Sequence, residues 1–169
     1  MRDINYSNAQ SNNFLVVIET MESVQLKLFD IQMPMFSANS TVVPTDGDRQ
    51  IRIPGTHMEI DQLQINFFVD EFWTNYIECY KWMKNCINSP EPFLHTKSIA
   101  ILPLNSSKQP TGVAFVFSDC HCINLAPIPL DSEGETTDVV MGMTIDFSDM
   151  ELEQWFDENG NTRISFSND

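Results

Sequence analysis

The chain has 169 residues, of which 42% are apolar and 11% are aromatic. This size and composition are typical of a single globular domain and exclude wholesale disorder. Its nine basic and 24 acidic residues give a formal net charge of −15, which disfavours a protein that grips a nucleic-acid backbone. The longest apolar runs, such as residues 14–18, fall well short of the roughly 18 residues that cross a bilayer. We therefore expect a soluble protein.

The first third of the chain predicts two strands followed by a long excursion. Alternating apolar residues favour strands over 14–18 and 24–28, joined into a hairpin by the short polar segment 19–23. Prolines and glycines recur throughout 33–55, so no regular core element is expected there. Inside this excursion, Asp46-Gly47-Asp48 lies between apolar segments and predicts the tip of a protruding hairpin. Excursions of this length usually have a function, and contact with a partner chain is the expected one.

The middle of the chain carries the clearest strand and the main helix. Residues 63–69 alternate strictly between apolar and mostly polar side chains, the pattern of a strand with one buried face. Asp70 is the predicted N-cap of a helix over 71–88, which Ser89-Pro90 terminates. Apolar residues spaced by three and four are expected to face the core, namely Phe72, Trp73, Tyr76, Ile77, Tyr80, Met83 and Ile87.

The last part of the chain predicts further strands over 99–104, 113–123 and 139–147. Between the second and third of these, two prolines mark a bend and residues 131–138 form an acidic turn. Beyond residue 148, either an added hairpin around Asn159-Gly160 or a helical turn over 148–156 is expected. The sum is a mainly β domain of about eight strands and a single helix.

Candidate catalytic and metal-binding motifs are weak. His57 and Glu59 match the first half of a zinc deaminase signature, but the second half requires Pro-Cys-x-x-Cys. The chain offers Cys120-His121-Cys122 instead, and a strand places these two thiols on one face and the imidazole on the other. No catalytic residue, metal site or cofactor is predicted. A small zinc-dependent hydrolase or deaminase-like enzyme remains the alternative from a different functional class.

The cysteines are predicted to be structural. The chain begins without the charged-then-apolar profile of a secretory signal, which favours free thiols in a reducing cytoplasm. Cys79 and Cys86 lie seven residues apart on the predicted helix, about 10 Å along its axis by the 1.5 Å rise, too far for a mutual disulfide.

The order of these parts resembles the tail-tube proteins of contractile-tailed bacteriophages. The similarity runs over residues 14–147 and rests on order and spacing more than on any single motif. The similarity is seen in seven segments of the chain: Met33-Pro34, Ile53-Pro54-Gly55, Asp70-Glu71, the aromatic helix through Trp82, the stretch from Ala126 to Asp131, Thr137-Asp138-Val139 and Asp146-Phe147.

The resemblance implies a single domain spanning residues 1–169, with two packed antiparallel sheets in a sandwich- or barrel-like arrangement, a flanking helix and a long protruding loop. It implies a non-enzymatic subunit of hexameric rings that stack into a tube through which DNA passes without specific binding. The implied partners are other copies of the chain and the tail sheath, baseplate and tape-measure proteins, with no membrane. The expected location is the virion tail, after assembly in the host cytoplasm.

Two sets of residues are predicted to act in this assembly. The loop expected to contact neighbouring subunits contains Phe36, Val42, Val43, Asp46, Gly47, Asp48, Arg49, Ile51 and Ile53. Strand alternation favours a lumen-facing set of Gln62, Gln64, Asn66, Thr144 and Asp146. An acidic lumen would repel phosphate, although the alternative is that the acidity only confers solubility.

Residues 148–169 form an acidic extension beyond the similarity, with six acidic residues and one arginine. This departure favours, as an alternative, a ring at the tube end, either the tube initiator on the baseplate or the tail terminator. A monomeric sandwich with a deep apolar ligand pocket is a further alternative.

Overall fold

A computed structural model describes residues 9–44 and 50–154 of the chain. Within them lie nine strands, two α-helices and a single 3₁₀ turn, Pro92–His95. In chain order the elements are β1 (Phe14–Ile18), α1 (Glu22–Lys27), β2 (Leu28–Gln32), β3 (Phe36–Pro44), β4 (Gln50–Ile60), β5 (Leu63–Phe68), α2 (Thr74–Asn88), β6 (Lys97–Pro103), β7 (Val113–Leu125), β8 (Val140–Asp146) and β9 (Asp149–Gln154). None of the helices in these residues is long and apolar enough to cross a membrane.

The long strand β7 connects two antiparallel sheets. Its first part pairs with β6 and β9, and β6 continues to β1. Its last part pairs with β8, which continues to β5 and β2. Asp119, with a φ of 53°, lies at the register shift between these parts, where the extra residue bends the strand. The fold is mainly β, with two antiparallel sheets and one main helix, as predicted.

The core lies between the two sheets and α2. Its sheet residues alternate along each strand, because successive side chains point to opposite faces. Fully buried members include Ile99 and Phe117 from the first sheet and Ile65, Phe67 and Met143 from the second. The strict alternation predicted for residues 63–69 is confirmed in β5, where Leu63, Ile65 and Phe67 are buried.

The predicted N-terminal hairpin is wrong. β1 pairs with β6 and not with the following segment, and residues 22–27 form helix α1 in place of a strand. Glu, Gln, Leu and Lys all favour helix over strand, and only a helix turns both Met21 and Val24 into the core. Leu26, which the strand pattern grouped with Val24, is exposed.

The main helix begins later than predicted. Residues 70–73 form a turn in which Trp73 adopts a left-handed conformation with a φ of 59° and donates its backbone N–H to the Asp70 carbonyl. Asp70 is therefore not the cap of a helix that starts at residue 71. Its carboxylate still accepts a hydrogen bond from the backbone N–H of Thr74, at 2.6 Å, where α2 begins.

The face of α2 that packs on the sheets is also not the predicted one. The buried positions are Asn75, Cys79, Trp82 and Cys86. The predicted apolar face is half-buried at Tyr76 and Met83 but exposed at the positions Phe72, Ile77, Tyr80 and Ile87. The packed face thus combines the large Trp82 with two small thiols, Cys79 and Cys86.

Asn75 fastens α2 to the end of β5. Its side chain is fully buried, donates to the Phe68 carbonyl at 2.7 Å and accepts from the Asp70 N–H at 3.2 Å. Replacing Asn75 with alanine removes both bonds, and we expect the free energy of unfolding to fall by about 1–3 kcal/mol. Denaturant unfolding measures the loss, and exposed Asn85→Ala on the same helix serves as a control with little effect. Equal stability of the two variants would contradict this role.

The structure also corrects the prediction for residues 148–156. Residues 149–154 form a strand that pairs with β7, so the alternative of a helical turn over 148–156 is wrong. The predicted hairpin around Asn159-Gly160 lies outside the described residues.

Candidate assembly surfaces

The excursion predicted to reach a partner chain is a hairpin made of β3 and β4. The two strands form a separate two-stranded sheet and pack predominantly against each other. A hairpin of two strands is marginally stable by itself in water. The predicted contact residues Phe36, Val42, Val43, Ile51 and Ile53 all lie on it and are exposed, whereas Asp46, Gly47, Asp48 and Arg49 lie outside the described residues.

One face of the outer half of this hairpin is apolar. Val43 pairs with Ile51, and Thr41 pairs with Ile53, so these four side chains share a face. The opposite face carries Val42 paired with Arg52 and is more polar. The hairpin is therefore an amphipathic ribbon, and no other part of the described chain covers its apolar face.

A bulge divides the hairpin into an outer half and a base. The register shifts between Ala38 and Ser40, and the strands approach so closely there that a Cβ on Gly55 would lie 2.3 Å from the Asn39 carbonyl oxygen. A side chain at residue 55 would force the two strands apart. Glycine is therefore required at this position for the hairpin to keep its shape.

The predicted lumen residues lie together on one face of the second sheet. Gln64 pairs with Thr144, and Asn66 pairs with Gly142 on the same face. By the same alternation Asp146 belongs to this face, and Gln62, which directly precedes β5, lines the same hollow as Gln64 and Asp146. All five predicted residues are exposed or half-buried. The opposite face of β5 and β8 is the core.

The structure adds three polar residues that the sequence reasoning missed. Gln32 of β2 lies opposite Gln64, and Asn124 of β7 lies opposite Thr144, so an uncharged polar row crosses all four strands. Asp30 accepts a hydrogen bond from the Asn66 side-chain amide at 2.9 Å. Asp30 and Gln32 lie on either side of Ile31. This alternation could have indicated both residues if the sequence pattern had predicted a strand over 28–32.

The sheets retain unpaired edges among the described residues. β1 pairs only with β6, β2 only with β5, and β9 only with β7. β1 has the sequence Phe-Leu-Val-Val-Ile, and its outward-facing Leu15 and Val17 are exposed. An apolar edge strand exposed in this way is a template for pairing with another chain.

The four cysteines are free, buried thiols. Burial raises the pKa of Cys79 and Cys120 to about 12 and that of Cys122 to about 11, because the interior disfavours the thiolate. Burial also raises the pKa of Cys86. Nucleophilic or metal-binding chemistry needs the thiolate, so these groups are packing residues in this environment.

The two halves of the zinc-site alternative do not come together. His57 and Glu59 are exposed on the hairpin, whereas Cys120 and Cys122 lie in the core and His121 points to the other side of β7. Among residues 9–44 and 50–154, no group of three metal-binding side chains is placed to hold an ion.

The raised thiol pKa values predict a loss of stability at high pH. The unfolded thiols titrate near 9 and the folded ones near 11 to 12, so the unfolded state holds fewer protons in that range. The contribution of the protonated thiols to the free energy of unfolding is complete below pH 9. Above pH 9 it falls by about 1.4 kcal/mol per pH unit for each fully shifted thiol. Denaturant unfolding at pH 8 and pH 10 measures this fall in the free energy of unfolding. Cys79→Ala should reduce the slope, and an unchanged slope would contradict the prediction.

Comparison with known proteins supports the fold assignment. No protein-family model and no curated protein sequence matches the chain. Solved structures do match. The tube-terminating cap of the anti-feeding prophage has a TM-score of 0.69 and 15% identity, over 90% of this chain and 96% of that one.

Two chains of the extracellular contractile injection system PVC are also similar. One belongs to its sheath–tube complex, with a TM-score of 0.64, 13% identity and coverage of 89% of this chain and 94% of that one. The other belongs to its sheath/tube terminator, with a TM-score of 0.65, 12% identity and coverage of 89% and 99%. Identities this low establish the fold alone. The chain thus shares its fold with components of contractile injection systems, as its resemblance to tail-tube proteins predicted.

Proposed function

We propose that the chain is a structural, non-enzymatic subunit of a phage tail tube, in which six copies form a ring and rings stack around a lumen. The main support for the proposal is the uncovered apolar face of the β3–β4 hairpin, which has no partner in the described part of its own chain. The edges of β1, β2 and β9, which have no partner strand within residues 9–44 and 50–154, support the same conclusion. A protein with this fold becomes fully packed only when copies cover these surfaces.

The polar face of the second sheet is the proposed lumen wall. It presents amide and hydroxyl side chains in a row, with carboxylates at Asp30 and Asp146. A cylinder of such faces, in subunits of charge −15, repels phosphate and lets DNA slide without specific binding. The lumen then needs no base-reading side chains.

The proposed partners are the sheath, the baseplate and a tape-measure protein, with assembly in the host cytoplasm and a final location in the virion tail. Support comes from the matched solved structures, which include a chain of the anti-feeding prophage baseplate in a six-fold symmetrised structure, with a TM-score of 0.60. The sheath–tube complex provides the same kind of support.

A tube-end ring is the second candidate. Two of the compared chains come from a terminating cap and a terminator. In this chain the strand β9 follows β8 directly and covers an edge of β7, so the acidic extension starts as part of the first sheet. A ring that ends a tube needs only one stacking surface.

Electron microscopy of the purified protein tests both candidates. A tube subunit should form six-fold rings and, at high concentration, stacked tubes. An end ring should form single rings that bind the ends of preformed tubes. Persistent monomers, even at high concentration and with tail partners present, would overturn the proposal.

A labelling experiment tests the assignment of the lumen. Cysteine introduced at Gln64 and labelled with maleimide-gold before assembly should appear along the tube axis, whereas the same label at exposed Tyr80 should appear on the outer surface. The buried native thiols are expected to stay unlabelled. Gold on the outside in the Gln64 variant would refute the assignment.

A further inference from the structure

We propose that the apolar face of the hairpin in one copy binds an apolar groove on the next copy, formed by the end of α2, the 3₁₀ turn Pro92–His95 and the last part of β7. This inference rests on the proposed ring and specifies the surface that receives the hairpin.

The groove is a preformed apolar cavity of about 470 Å³. Its lining includes Cys86, Ile87, Pro92, Phe93, Cys122 and Ile123. Trp82 and Cys86 hold the 3₁₀ turn over α2, since both donate to the His95 carbonyl, at 3.0 and 3.5 Å. The walls are therefore anchored to the core.

The rim of the groove is formed by exposed apolar side chains. Ile87 is 72% exposed, Phe93 is 70% exposed and Ile123 is 42% exposed. Ile123 faces outward because the register between β7 and β8 shifts between Cys122 and Asn124, which makes Ile123 an extra, bulged residue. Contiguous apolar rims of this kind mark interaction sites.

The hairpin has the matching chemistry and shape. Its apolar face presents the β-branched side chains Val43, Ile51 and Ile53, of which Ile53 is 46% exposed. Such side chains are stiff about χ1, so they lose little freedom when they enter a cavity. The hairpin packs predominantly on itself, which leaves its apolar face available to a second copy.

The size of the contact favours a closed ring of copies over an isolated pair. The outer half, in which residues 40–44 pair with residues 50–54, is about 16 Å long by a rise of about 3.3 Å per residue and about 10 Å wide, so its apolar face covers roughly 160 Å². A stable pair usually buries about 800 Å² per partner. One hairpin–groove contact is therefore weak. A hairpin meeting a groove is a head-to-tail contact, and such contacts generate a ring where the rotation between copies closes and an open filament where it does not.

Cysteine crosslinking between two variants tests the contact. We mix Ile53→Cys with Ile123→Cys and add a short bismaleimide, which captures even a weak contact. We expect a covalent heterodimer linked through residues 53 and 123, which peptide mapping distinguishes from any link to the native Cys86 or Cys122 in the groove lining. Val42→Cys replaces Ile53→Cys in the matched control, because it lies on the other face of the hairpin. Both target positions are exposed, and thermal melting confirms that the variants fold.

A charge in the groove gives a second readout. Phe93→Asp should raise the protein concentration needed for rings by about tenfold or more, since the contact would bury a carboxylate. Leu26→Asp, at an exposed apolar residue outside the groove, should not.

The outcomes separate the two proposals. Rings without a 53–123 crosslink, or equal crosslinking by Val42→Cys, would overturn the groove contact and leave the tube function standing. A specific 53–123 crosslink in a protein that never forms rings would support the contact and argue against the tube.

Discussion

Replacing Gly55 with valine is expected to abolish assembly while leaving the thermal stability of the monomer nearly unchanged. A Cβ at this position would lie 2.3 Å from the Asn39 carbonyl oxygen, a separation at which the backbone must move. The bulge would open and the apolar face beyond it would lose its shape. Because the hairpin packs predominantly on itself, the core between the two sheets is not affected.

Size-exclusion chromatography and electron microscopy measure the assembly, and thermal melting measures the monomer. Thr56→Val is the matched control, since residue 56 is exposed on the same strand and valine favours a strand. Normal rings from Gly55→Val would show that the hairpin does not join the subunits.

Phe117→Ala is expected to cause the largest loss of monomer stability, about 3–5 kcal/mol in the free energy of unfolding. Phe117 is fully buried, lies opposite Ile99 and Met150 in the neighbouring strands and contacts Phe147 edge to face at 4.8 Å between ring centroids. Its removal leaves a cavity where β6, β7 and β9 meet the core.

The control for this substitution is Phe72→Ala. Phe72 belongs to the apolar series that the sequence placed in the core, yet it is 84% exposed, so its loss should change the free energy of unfolding by less than about 0.5 kcal/mol. Chemical denaturation of both variants measures the difference. Similar losses in the two would mean that the predicted face, and not the observed one, packs on the sheets.

The candidate surfaces were partly visible in the sequence. The hairpin followed from Asp46-Gly47-Asp48 between apolar segments, and Gln64, Asn66 and Thr144 followed from alternation within single strands. Asn124 did not, because the bulge at Ile123 shifts the alternation in β7, and Asp30 did not, because the sequence pattern did not predict a strand over 28–32. A bulge depends on pairing with a strand that is distant in the sequence, so it cannot be predicted from the sequence of one strand.

The sequence by itself determined the elements whose physics is local. Residues 63–68 alternate and form a strand, and Ser89-Pro90 ends α2, because side-chain periodicity and backbone restriction act over a few residues. The tertiary structure alone decided that β1 pairs with β6 and that α2 buries Asn75 and Cys79 in preference to Ile77 and Tyr80. Hydrophobicity specifies that a side chain gains by leaving water, but it does not specify whether its own core or another molecule will cover it.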